Sequence, residues 1–286
     1  MLTHLFRDTL GLNRRELELI APLNPRARIR QIAQDKLACK QLLMTTGLPV
    51  PELFHAIRDK HEYHDFSWDL PDEFALKPSG GGRGCGILVT SGKRDGHWLS
   101  HGGRPITKEE LRFHLLAILY GDFSREGSCD HIAFFERKMK TRLDLTGAPA
   151  LGLPDIRVIV CEGKATMAMT RLPTRASDGK ANLHQGAIGV GIDVASGETR
   201  NAVLEGQTRT HHPDTDRELI GLSYPNWSEL KDLAIRAARV SQLGYTGIDL
   251  VVDDEFGPAI LEINARPGLD IQIANLMGLR RALTLR

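Results

Sequence analysis

The sequence predicts an α+β protein, and three observations carry that prediction. Two stretches read as β-hairpins. One is "IRVIVCEGKATMAMTRL", with its turn at Glu162-Gly163; the other is "GIDLVVDDEFGPAILEIN", with its turn across Asp254 to Gly257. A glycine run, "KPSGGGRGCG", lies between two strand-like stretches rather than ahead of a helix. In "SELKDLAIRAARVSQLG", Leu230, Leu233, Ala234, Ala237 and Val240 recur at helical spacing, with Gly244 as the stop. No linker-like tract or internal repeat divides the chain, so these elements belong to one compact unit of lobes.

The other elements follow in order. Asn13 and Glu16 have capping-box spacing at the start of a helix over "RRELELI". "DKLACKQLLMTTG" is a helix with Asp35 as N-cap and Gly47 as its stop, and Pro49 and Pro51 forbid continuation. "EFALKPSGGGRGCGILVTSG" reads strand, glycine loop, strand. "ITKEELRFHLLAILYGD" is a helix with a Thr107/Glu110 capping box. "HIAFFERKMK" is a buried strand running into a polar connector. "LTGAPALGLPD" is a loop, and the long polar stretch "PTRASDGKANLHQGAIGVGID" has the length and composition of a functional loop.

Composition excludes several classes. The 286 residues are 41% hydrophobic and 26% charged, and 37 Lys+Arg against 36 Asp+Glu leave a net charge of +1. A near-neutral chain gives no case for bulk nucleic-acid or anionic-membrane binding. No segment approaches the ~20 apolar residues of a membrane span, and the first residues lack a signal-peptide pattern. Cys39, Cys85, Cys129 and Cys161 fit no zinc template and read as the reduced thiols of a cytoplasmic protein. His61, His64, His211 and His212 read as surface histidines of polar segments.

The chemistry concentrates in the second hairpin. With the turn at Asp254 to Gly257, Asp253 faces Pro258 and Asp249 falls opposite Glu262. Asn264 shares their face. Two carboxylates opposed at ~4 Å repel by roughly 4 kcal/mol at an effective dielectric near 20. Such a pair persists if a cation lies between them or one carboxyl is protonated. Two carboxylates and an amide oxygen suit a hard cation such as Mg²⁺. The hairpin alone equally allows acids pointing into solvent. The glycine run lacks both the Walker A pattern and the helix a dinucleotide fingerprint needs. Between strands it reads as a flap whose backbone N–H groups can close over phosphates, with Lys77 supplying a point charge. Alone it is also compatible with a glycine hairpin that binds nothing.

Taken together, "DK…GLPVP", "LKPSGGGRGCGI", "DIRVIV", "MTR", "NLHQGA", "GIDLV" and "LEINARPG" resemble the ATP-grasp superfamily from about Asp35 to the C-terminus. Within it the chain is similar to the alpha-L-glutamate ligase-like proteins, relatives of the ribosomal protein S6 modification ligases. The resemblance implies an ATP-grasp fold, two α/β lobes clamping ATP with a truncated N-terminal region. It divides the chain into an N-terminal helical segment (1–34), an N-lobe with flap and interlobe hinge (35–139) and a C-lobe with the metal-binding hairpin (140–286). It implies that Lys36 and Lys77 contact ATP phosphates and that Gly80, Gly81, Gly82, Arg83, Gly84 and Gly86 form the flap. Glu136, Arg137, Lys138 and Met139 would form the adenine-binding hinge, with Asn182 beside the γ-phosphate and metal. Asp249, Glu262 and Asn264 would hold Mg²⁺, or Mn²⁺ in its place. Arg157, Arg171 and Arg266 would lie by the phosphate being transferred.

The implied reaction is ATP-dependent carboxylate–amine ligation through an acyl-phosphate, adding glutamate or another amino acid to a peptide or small carboxylate. An ATP-grasp kinase and a nucleotide-binding, non-catalytic subunit are the alternatives. Members of the superfamily usually carry a fuller N-terminal domain than the 34 residues ahead of Asp35. The acceptor site would then be completed by a partner protein, a homo-oligomer, or the 141–154 and 172–191 loops.

Overall fold

The computed structural model describes residues 8–81, 84–124, 131–141 and 151–284. The chain forms two compact units, each built on an antiparallel sheet.

The first unit comprises Gln34–Gln41 and Pro51–Met139. Its six strands are β1 (Leu53–Ile57), β2 (Phe74–Pro78), β3 (Leu88–Arg94), β4 (His97–Ser100), β5 (Pro105–Ile106) and β6 (Ala133–Arg137). They lie in the order β1-β6-β2-β3-β4-β5. The "AFF" of β6 is apolar on both faces because β6 is an inner strand, flanked by β1 and β2; burial continues to Glu136, a buried charged residue. Helix α1 (Lys36–Thr45), whose residues from Leu42 on count with the second unit, opens with Asp35 Oδ1 accepting from Ala38 N at 2.9 Å and closes at Gly47, φ +70°. Helix α2 (Lys60–Asp65) is short and exposed, and His61 and His64 lie on the surface with it. Helix α3 (Lys108–Leu119) has the full Thr107/Glu110 capping box. Its Leu111, Leu115 and Ile118, at spacing i, i+4, i+7, pack with Phe74, Leu76, Trp98 and Phe135 in one core.

The second unit comprises Met1–Ala33, Leu42–Val50 and Lys140–Arg286. Its strands are β7 (Asp155–Cys161), β8 (Lys164–Leu172), β9 (Ile188–Ile192), β10 (Thr199–Leu204), β11 (Gln207–Arg209), β12 (Tyr245–Asp253) and β13 (Gly257–Asn264). Their order, β11-β10-β9-β8-β7-β12-β13, places the two predicted hairpins side by side. Glu162 and Gly163, φ +48° and +77°, make the β7–β8 turn. Helix α4 (Trp227–Ser241) buries Leu230, Leu233, Ala234 and Ala237 against β7, β8, β12 and β13, while Val240 is half-buried. It stops at Gln242, in the left-handed region at φ +58°, two residues before the expected Gly244.

Three local expectations change. The Asn13/Glu16 capping box does not form: Gly11 is the N-cap, the helix runs on through a π-helical turn at Glu16–Ile20, and Glu16 binds Arg266 instead. In the β12–β13 hairpin a bulge separates two registers. Asp249 pairs with Glu262 as expected, but Asp253 pairs with Gly257 rather than Pro258. A three-residue turn, Asp254 to Phe256, takes one residue fewer than the predicted one, and the bulge at Leu261 restores the register. His212 is not a surface histidine. It is 1% exposed, its Nε2 lies 3.0 Å from Pro173 O, and its Nδ1 receives Asp214 N at 3.3 Å. Among the described residues no helix is long and apolar enough to cross a membrane, and Cys39, Cys85 and Cys161 are free thiols. Cys129 and residues 142–150 lie outside the described residues.

Candidate active site

The sheet registers assemble the polar face of the second unit. Asp249 on β12 sits directly opposite Glu262 on β13 and opposite Arg157 on β7. Asp155, two residues before Arg157 and therefore on the same face, sits opposite Arg171 on β8. Arg157 grips Asp249 with two hydrogen bonds, Nε to Oδ1 at 2.7 Å and Nη2 to Oδ2 at 2.6 Å. Arg171 binds Asp155 through Nε and Nη2 and also donates to Asp249 Oδ2 at 2.9 Å. Asn264 Nδ2 donates to the same oxygen at 3.2 Å.

This changes the account of the acid pair. The Asp249–Glu262 juxtaposition is real, but the charge of Asp249 is answered by two guanidinium groups. A cation between the two is therefore not required to hold them together. Arg157 and Arg171, expected beside phosphates, hold carboxylates here. Burial would raise Asp249, but Arg157 and Arg171 outweigh it and keep its carboxyl below the usual range. Asp155 has one guanidinium and feels the charge of Asp249; burial dominates and pushes it up to about 6. Burial works against the charge of Arg171, but Asp155 and Asp249 prevail and raise its pKa.

A divalent ion fits part of this set. Glu262 and Asn264 are half-buried and two residues apart on the face that carries Asp249. With Nδ2 turned to Asp249, Asn264 keeps its carbonyl oxygen for a hard cation. Asp249 Oδ2 already receives three donors, and Oδ1 receives one. Among the described residues no group of three or more His, Cys, Asp and Glu side chains is arranged to hold a metal. Arg266 does not join the cluster; its guanidinium forms a two-bond pair with Glu16 at 3.0 and 2.7 Å, which raises Arg266 and lowers Glu16. Asn182, half-buried, caps a single turn at Leu183–Gln185 by accepting from His184 N at 3.1 Å.

The first unit holds a second constellation. Lys77 on β2 ion-pairs with Glu136 on β6, and Lys40 of α1 approaches the other carboxylate oxygen at 2.9 Å. Burial opposes the charge of Glu136, but the two lysines win and hold it below the usual range. Sequence reasoning missed Lys40. Its signal was a lysine one turn after Lys36, on a helix face that otherwise buries Leu37 and Leu43. Lys36 Nζ donates to Gly81 O, and its backbone N–H donates to Ser79 O at 2.9 Å, so α1 holds the start of the glycine loop. A Cβ on Gly86 (φ +74°) would lie 2.5 Å from Phe123 Cγ, and one on Gly81 2.6 Å from Pro78 Cγ, so both positions need glycine. Gly80 is half-buried and Gly84 exposed, while Gly82 and Arg83 lie outside the described residues. After Glu136 and Arg137, Lys138 pairs with Glu73 at 3.1 Å and Met139 is buried; the first unit ends there.

A family model of sugar-transfer associated ATP-grasp proteins matches residues 14–285. The chain belongs to this ATP-grasp family. Two curated relatives are glutamate ligases, as the motifs implied. This ATP-grasp chain is 26% identical over 116 residues to a probable alpha-L-glutamate ligase of Maridesulfovibrio salexigens, covering 41% of this chain and 27% of the relative. It is 25% identical over 269 residues to a ribosomal protein bS6–L-glutamate ligase of Escherichia fergusonii, covering 93% of this chain and 66% of the relative. The chain thus spans less than two thirds of either relative. Among solved structures, a biotin carboxylase–ATP complex from Campylobacter jejuni superposes with TM-score 0.55 at 14% identity, over 90% of this chain and 46% of that one. At that identity the likeness concerns the fold alone.

Proposed function

We propose that the protein is an ATP-dependent carboxylate–amine ligase that adds glutamate, or another amino acid, to a peptide or small carboxylate. A substrate carboxylate attacks the γ-phosphorus of ATP, giving an acyl-phosphate and ADP. The amine then attacks the acyl carbon, phosphate leaves and the amine gives up a proton, yielding the amide. The observation that carries the reading is the ordered polar face Glu262–Asp249–Arg157 on β13, β12 and β7, in a chain of the ATP-grasp family.

In this reading Lys36, Lys77 and the glycine loop bind the phosphates of the nucleotide, and the segment Glu136 to Met139 binds its base. Glu262 and Asn264 hold Mg²⁺, with Asp249 beside them. The ion, when bound, neutralises charge on the phosphates. Arg157 and Arg171 are held by Asp249 and Asp155, so their guanidiniums stand preorganised for an anionic group. No side chain acts as a covalent nucleophile; the residues contribute positioning and electrostatics. Glutamate enters the proposal from the names of the two curated relatives.

Mass spectrometry of the products after incubation with ATP, Mg²⁺, pooled amino acids and candidate carboxylates tests the reading. An amide product with stoichiometric ADP supports it. A stable phosphoester would make the protein a kinase, and no ATP turnover with any acceptor would leave only a nucleotide-binding subunit.

A further inference from the structure

Lys40 is the buried counter-charge that frees Lys77 for a phosphate, we infer; the inference rests on the ATP reading above. The three groups differ in access. The side chains of Glu136 and Lys40 are 4% and 7% exposed, whereas that of Lys77 is 17% exposed. Lys40 is fixed from two sides, donating to Pro51 O at 2.5 Å and facing Glu136 Oε2 at 2.9 Å. Lys77 is bound through Glu136 Oε1.

One buried carboxylate therefore faces two ammonium groups. The trio carries a surplus positive charge that an anion at Lys77 would balance. When Lys77 turns to a phosphate, Glu136 keeps Lys40 and remains paired. Without Lys40, the departure of Lys77 would strand a buried carboxylate, so Lys77 would stay on Glu136. Lys40 is thus a positioning residue: it touches no nucleotide and acts through Glu136 on Lys77.

The test is a double-mutant cycle on ATP affinity, measured by calorimetry with Mg²⁺. Lys40→Met is expected to weaken ATP binding about tenfold or more, because Glu136 then retains Lys77. In the Glu136→Gln background the same change is expected to alter affinity by less than about threefold, because no buried charge is left to compensate. Should Lys40→Met fail to fold, Lys40→Gln takes its place in the cycle, and the comparison in the Glu136→Gln background still allows the inference to be overturned. A tenfold loss in that background, or wild-type affinity in a folded Lys40→Met protein, overturns the inference while ATP binding by the wild type leaves the ligase reading standing. Absence of ATP binding by the wild type removes both.

Discussion

Asp155 and Asp249 are the same chemical group on the same buried face, yet their environments push them in opposite directions. Asp249 receives two guanidiniums and an amide; Asp155 receives one guanidinium and feels Asp249. Asp155, raised to about 6 from 3.8, binds its proton more tightly in the folded state. Its contribution to stability is full below the unfolded value and is lost as pH rises through about 6. Asp249, lowered, contributes stability above its unfolded value and loses it as pH falls through its folded pKa. Carboxyl carbon NMR should show Asp155 titrating near 6 while Asp249 stays ionised. Asp155→Asn should remove the part of the stability–pH slope that lies between about 4 and 6. An unchanged slope would refute the assignment. Two further substitutions on this face separate folding from chemistry. Arg171→Leu strands a buried carboxylate and should cost about 3–5 kcal/mol in urea unfolding. Glu262→Gln, half-buried at the far end of the row, strands no buried charge and should cost less than Arg171→Leu in the same assay. It should nevertheless lower ATP turnover at least roughly 100-fold if it holds the metal. Wild-type turnover in that variant would remove Glu262 from the metal site.

At the scale of elements, the β12–β13 hairpin turns on Asp253. Its Oδ1 accepts from Glu255 N at 2.9 Å and Phe256 N at 3.2 Å, closing the three-residue turn, and its Oδ2 accepts from Lys140 N at 2.8 Å. Asp253→Ala should cost about 2 kcal/mol, because it removes the carboxylate that accepts from three backbone N–H groups; a loss under 0.5 kcal/mol in denaturant unfolding would show that the turn does not depend on it. Alternation and turn residues made this hairpin, the β7–β8 hairpin and the Asp249–Glu262 pairing legible in the sequence, since each is settled within about twenty residues. The bulge at Leu261 was not legible, because it depends on how many residues the turn takes. The arginine–carboxylate network was also beyond reach. Asp249 meets Arg157 only because β12 lies beside β7, a pairing across 92 residues that no local pattern states. Lys40 and Glu136 meet for the same kind of reason, and His212 looked like a polar-loop residue because its partner, Pro173 O, is 39 residues away.

At the scale of the whole second unit, the N-terminal helical run belongs to the fold's foundation. Arg28 donates to the last carbonyls of α4, at 3.5 Å to Val240 O and 3.3 Å to Ser241 O. Arg15, buried, donates to Pro267 O at 2.5 Å, and next to it Glu16 binds Arg266. Asn24 makes the most specific contact. Tyr245 opens β12 opposite Cys161 of β7, but β13 ends at Asn264, which pairs only as far as Gly247. On that unpaired edge, Asn24 Nδ2 donates to Tyr245 O at 2.7 Å and Asn24 Oδ1 accepts from Tyr245 N at 2.9 Å. A side-chain amide thus does for Tyr245 what a neighbouring strand does elsewhere. Asn24 is 3% exposed and Tyr245 fully buried, so water has no easy route to the two backbone groups. Asn24→Ala should therefore cost about 3 kcal/mol, for two buried polar groups left unpaired. Amide exchange should locate the effect: the Tyr245 N–H should lose its protection while amides of the β9–β10 pair, away from Asn24, keep theirs. If Asn24→Ala unfolds at the wild-type urea midpoint with Tyr245 still protected, the N-terminal run is an appendage to the sheet rather than its missing edge.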